Sequence, residues 1–181
     1  KSSVTISVGG FLEAIEKAVG SAQDAPEGLS ESDLLRVGLV SDMSSSASAA
    51  DGKDGAGALN VTVAAVARNT GGVITGCVID SVSSSVTFSK SGAITSDLSM
   101  EVKSKNELGE SYGLKKSSSL GKEWNEQAKA FAEYVTGKTL SEVQGIAVSE
   151  GGAPQSEDLK SSVTIRVGDF IKAIERAIAV G

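Results

Sequence analysis

One stretch occurs twice in this chain, and that duplication limits the possible folds more than any other feature. Lys1-Ser2-Ser3-Val4-Thr5-Ile6-Ser7-Val8-Gly9-Gly10-Phe11 returns as Lys160-Ser161-Ser162-Val163-Thr164-Ile165-Arg166-Val167-Gly168-Asp169-Phe170. Both copies run on into Ala-Ile-Glu, at Ala14-Ile15-Glu16 and Ala173-Ile174-Glu175. Everything between them is read once. Self-similarity at a fixed offset marks copied units, so the simplest organisation is one whole repeat of a longer array. On that reading residues 1–24 are the closing strand/helix element of a preceding repeat, and residues 25–181 are one complete unit.

Each copy predicts an amphipathic helix. Val8, Phe11, Leu12, Ile15 and Val19 fall on one helical face, and Val167, Phe170, Ile171, Ile174 and Ile178 repeat the spacing. A hydroxyl-rich approach precedes each helix, with Thr5 and Thr164 about one turn upstream. A helix start offers unpaired N–H groups and a positive dipole end, so hydroxyls there can cap the helix or help hold a phosphate. An apolar helix face left wet is an aggregation liability, so the first helix should pack on the unit in cis or on a neighbour in a swapped arrangement.

Between the copies the pattern is that of a small sheet followed by helices. Leu35, Val37 and Leu39 alternate, as do Leu59, Val61, Val63 and Ala65, and then Val73, Thr75, Cys77 and Ile79. Asn69-Thr70-Gly71-Gly72 offers a hairpin turn. A short strand is expected at Val86-Thr87-Phe88, turning through Ser89-Lys90-Ser91-Gly92 into Ala93-Ile94-Thr95. Ser44 to Gly57 reads as a mobile surface loop. Trp124, Ala128, Phe131 and Val135 line one face of a helix ended by Gly137, and Thr139 with Glu142 forms a capping box. The expected fold class is α+β, an antiparallel meander covered by about three helices.

Composition excludes several functions. A net charge of −6 without a basic stripe argues against nucleic acid. The chain has no histidine, which removes imidazole metal sites and His-based triads. Cys77 stands alone, so no internal disulfide forms, and a small buried hydrophobe is its simplest role. No apolar run approaches membrane-spanning length. No phosphate-binding glycine loop follows a strand, and acidic pairs such as Glu107/Glu110 and Glu123/Glu126 sit in polar company. The chain is therefore not expected to be an enzyme. Asp51-Gly52-Lys53-Asp54-Gly55 is a faint calcium-loop pattern without the distal Glu, and no metal is expected.

The duplicated stretch resembles the closing motif of the FMN-binding domain family, which runs Ser-Gly-Ala-Thr into a helix and whose Thr can carry FMN through a phosphoester bond. Ser161 matches the Ser and Thr164 the Thr, while Ser162 stands where Gly is usual and Val163 where Ala is usual. Ser2, Ser3, Val4 and Thr5 repeat this match. Both departures add bulk where a phosphate must approach the backbone, and Val stiffens the turn. Val61-Thr62-Val63, a Gly turn and Val73-Ile74-Thr75 are similar to the family's early hairpin. Tyr112-Gly113 through Lys122-Glu123-Trp124 further resembles a branch of surface lipoproteins with FMN-binding-like domains.

The resemblance implies an extracytoplasmic electron-carrier module on a bacterial cell surface, or secreted. Its cofactor would be FMN, with Thr164 as attachment or phosphate contact and Thr5 as its copy. Tyr112 and Trp124 would face the same pocket, and the partners would be neighbouring repeats and a redox protein. The alternative is a unit that has lost its flavin and serves as a structural or adhesive repeat displaying the Ser44–Gly57 loop.

Overall fold

A computed structural model of the chain describes residues 5–22, 28–50 and 52–179. It shows an α+β fold. Strands β1 (Leu34–Asp42), β2 (Gly55–Arg68) and β3 (Ile74–Phe88) form an antiparallel meander in the order β1-β2-β3. Among the described residues three helices have twelve residues, α1 (Gly9–Gly20), α3 (Trp124–Val135) and α6 (Gly168–Ala179). Shorter turns of helix, α2 (Lys105–Leu108), α4 (Leu140–Gln144) and α5 (Glu157–Lys160), connect the rest. No helix there is long and apolar enough to cross a membrane.

Register decides which residues form the core. Gly38 pairs with Ala64 and Val40 with Thr62; across the next ladder Ala64 pairs with Ile79 and Thr62 with Ser81. Opposed residues share a face, so Gly38, Val40, Ala64, Val66 and Ile79 point inward. Helix α6 lies on β1 and β2, and α3 lies on β3. Phe131, Val135, Val163, Val167 and Ile174 are all fully buried with them. Phe170 touches Phe131 and Trp124 at ring-centroid distances of 5.6 Å each, and such edge contacts add to the burial of the rings. Gly38 permits the helix to approach, because a Cβ there would strike the Ala173 carbonyl and the Ala177 amide.

The alternation in β1 is real, but its large residues point the other way. Leu35, Val37 and Leu39 lie on the outer face and are exposed, while Gly38 and Val40 carry the core contacts. Spacing alone cannot say which of two faces a helix will cover. The expected short strand at Val86–Phe88 is the end of the long β3, since Ser83 to Ser85 continue the ladder with Ala58 to Asn60. The strand expected after it reduces to a bridge between Phe88 and Ile94. The Ser44–Gly57 stretch contains backbone pairing that its composition does not announce. Bridges Ala47↔Ala56 and Ala50↔Lys53 fold it into a tongue, and β2 already begins at Gly55. Asp51 lies outside the described residues.

Helix α1 forms where its pattern places it, but none of its residues is buried. Lys17 ties it to the rest of the chain through Glu101 at 3.2 Å and Glu107 at 3.5 Å, both exposed pairs. Ion pairs of this kind contribute little.

Candidate functional site

The inner sheet face changes character along its length. Under α6 it is Gly, Ala, Val and Ile, but towards Asp42 it becomes Asn60, Thr62, Ser81 and Ser83. Thr62 and Ser81 satisfy one another at 2.7 Å, as a buried polar pair must. Above this floor lies a cavity of about 630 Å³ lined by Tyr112, Trp124, Gln127, Thr164, Arg166 and Phe170, among others. Lys105 joins them, its ammonium 5.0 Å from the Trp124 ring centre and 5.2 Å from that of Tyr112. Asp42 and Asp169 also contribute to the wall. The Ser44 hydroxyl and amide hold the Asp42 carboxyl below its usual range, so it is charged at neutral pH.

Glu123 fixes the wall that carries Tyr112. Its buried carboxylate accepts from the Leu114 amide at 2.8 Å and the Lys115 amide at 3.1 Å. Gly113 adopts φ 78°, and this left-handed turn aims those amides at Glu123. The Tyr112-Gly113…Glu123-Trp124 signature therefore has a definite mechanical meaning. Trp124, at 5% exposure, is a core anchor with one edge on the cavity.

Thr164 is positioned by Gln127, a residue that the sequence reading passed over. Gln127 is fully buried on α3. Its Oε1 accepts from the Thr164 amide at 2.8 Å, the Thr164 hydroxyl at 3.1 Å and the Ile165 amide at 3.3 Å. Its Nε2 donates to the Ser118 hydroxyl and the Lys122 carbonyl, both at 3.2 Å. The Lys122 carbonyl requires an N–H and the two amides require an oxygen, so the side chain has one sensible orientation. A signal was present in the sequence: Gln127 sits three residues after Trp124, inside an otherwise apolar stripe.

The expected site residues thus divide. Thr164, Tyr112 and Trp124 come together on one cavity, and Thr164 is exposed. Ser161 and Ser162 do not line it. Their hydroxyls donate back to the Asp158 carbonyl at 2.6 Å and the Leu159 carbonyl at 3.3 Å, ending α5. Val163, fully buried, pins the approach from below. Thr5 is exposed and does not line the cavity, and Ser2 and Ser3 lie outside the described residues. Burial pushes the Cys77 thiol up to about 12, which leaves it protonated and unreactive at neutral pH. Among the described residues no cluster of three His, Cys, Asp or Glu side chains could hold a metal ion.

A ligand the size of FMN would be admitted by volume, while Asp42 and Asp169 on the wall oppose a phosphate that Lys105 and Arg166 would favour. Cavities of 300–1,000 Å³ hold ligands of that size. The aromatic edges of Tyr112, Trp124 and Phe170 suit a ring system, and Lys105 and Arg166 suit a phosphate.

Comparison with known proteins adds little to this geometry. No protein-family profile matches the chain, and no solved structure does. A stretch of 40 residues, 22% of the chain, is 52% identical to the chlorophenol reductase of Desulfitobacterium hafniense. That match spans 12% of the relative's length.

Proposed function

We propose that residues 25–181 form an FMN-binding-like electron-carrier module working outside the cytoplasm of a bacterium, at the cell surface or as part of a lipoprotein. The observation that carries the reading is the exposed Thr164 hydroxyl on the wall of a cavity shared with Tyr112, Trp124 and Lys105. The bound flavin would supply the electron-accepting ring. Thr164 would hold its phosphate, with Arg166 and Lys105 offsetting the negative charge. Gln127 keeps the Thr164 backbone fixed and accepts the hydroxyl's proton, which turns the oxygen's lone pairs away from Gln127. The partners would be neighbouring units and a redox protein that delivers or removes electrons. A short match to a protein named for a reduction is compatible with this role.

One observation favours the flavin-free alternative, a structural or adhesive repeat. Gln127 Oε1 already draws three donors, so the Thr164 loop is internally satisfied. A titration separates the two. Trp124 is the sole tryptophan, so its fluorescence reports on the cavity. A carrier module gives saturable quenching by FMN that is weakened when Lys105 is changed to Ala. A structural repeat gives only the linear loss expected of an absorbing solute.

A further inference from the structure

Helix α1 and the stretch before it repeat α6 and its approach, identically or by conservative replacement, at the positions that the fold uses. Phe170, Ile171, Ile174 and Ile178 are 3%, 8%, 0% and 8% exposed. Their counterparts Phe11, Leu12, Ile15 and Val19 are 58%, 57%, 59% and 71% exposed. Ala173 and Ala177, whose backbone lies against Gly38, correspond to Ala14 and Ala18. Thr164 and Ile165, which donate to Gln127, correspond to Thr5 and Ile6. Arg176, which donates to the Leu39 carbonyl at 2.6 Å, corresponds to Lys17. From Lys160 to Ile178 the copies differ only at Arg166, Asp169, Ile171, Lys172, Arg176 and Ile178, where the first has Ser7, Gly10, Leu12, Glu13, Lys17 and Val19. None of these changes inserts bulk or charge into the buried face.

We infer that α1 is a donated closing helix that fits the α6 seat of a second copy of the unit formed by residues 28–159, taking the place of that copy's own α6. In its own unit that seat is filled by α6, and the described contacts of α1 there include exposed ion pairs from Lys17. A face of Phe, Leu, Ile and Val this exposed gains most by burial. The shape it matches is the cleft between β1, β2 and α3, with Gly38 under Ala14 and Ala18. Residue Thr5 would then meet the second copy's Gln127, so the donated element would also complete the wall of that copy's cavity. The inference stands whether or not the cavity takes flavin.

Two measurements test it. In the first, a labelled peptide of residues 1–22 is added to the full chain carrying Ile15→Asp and Ile174→Asp, in which neither resident helix can fill the seat. Saturable binding is expected, weakened at least about tenfold when the peptide itself carries Ile15→Asp. In the second, the full chain carries Arg166→Ser, Asp169→Gly, Ile171→Leu, Lys172→Glu, Arg176→Lys and Ile178→Val, which writes the first copy into the second. It should unfold cooperatively with a Tm lowered by no more than about 10 °C. A peptide that binds no better than its Asp variant, or a substituted chain without a cooperative transition, overturns the inference.

Discussion

Gln127 holds the candidate site together at the scale of single residues. Removing its amide leaves the Thr164 and Ile165 amides without the acceptor at 2.8 and 3.3 Å and opens a void beside Trp124. Each unpaired group costs about 1–3 kcal/mol. Gln127→Ala should therefore destabilise the protein by about 3 kcal/mol, read as a lower urea midpoint with an unchanged slope. Glu142 gives a second prediction. Its carboxyl accepts from the Thr139 amide at 2.8 Å and from the Thr139 hydroxyl at 2.7 Å, and these bonds hold its pKa below the ordinary 4.5. A depressed folded-state pKa stabilises above the unfolded value and loses that contribution as pH falls through the folded one. Acid unfolding below about pH 4.5 should accordingly become less steep in Glu142→Gln, as followed by circular dichroism during an acid titration. The sequence announced Glu142 through its capping-box spacing. Gln127 was visible only as a polar residue in an apolar stripe, because the partners that give it its role lie 37 and 38 residues away.

At the scale of elements, periodicity located the helices well and the faces of the sheet less well. The stripes of α3 and α6 are buried where the spacing places them, because a helix with one apolar side has one way to turn. Strand β1 has apolar residues on both faces, and the contact with α6 selects Gly38 and Val40 over the larger Leu35, Val37 and Leu39. Close approach, which needs a missing Cβ, outweighs residue size here. Gly38→Ala should cost about 3 kcal/mol by forcing α6 away from the sheet, whereas Val37→Lys on the outer face should stay within about 0.5 kcal/mol. Equal destabilisation of the two variants in chemical denaturation would mean that the faces have been assigned the wrong way round.

At the scale of the whole molecule, one architecture serves two ends. The apolar part of the inner face seats a helix that the chain carries in duplicate, and the polar part beside it opens a cavity under Thr164. The cavity was partly legible: Thr164, Tyr112 and Trp124 were named from motif likeness. Its floor of Asn60, Thr62, Ser81 and Ser83 became visible only with the register of β2 on β3. Whether that arrangement carries flavin is decided most directly by intact and peptide mass measurement on the protein isolated from its native cells. A carrier module predicts a yellow protein with a phosphoester-linked FMN increment on the peptide containing Thr164, absent in Thr164→Val. A colourless native protein with an unmodified Thr164 peptide, unable to quench Trp124 on titration with FMN, would contradict it.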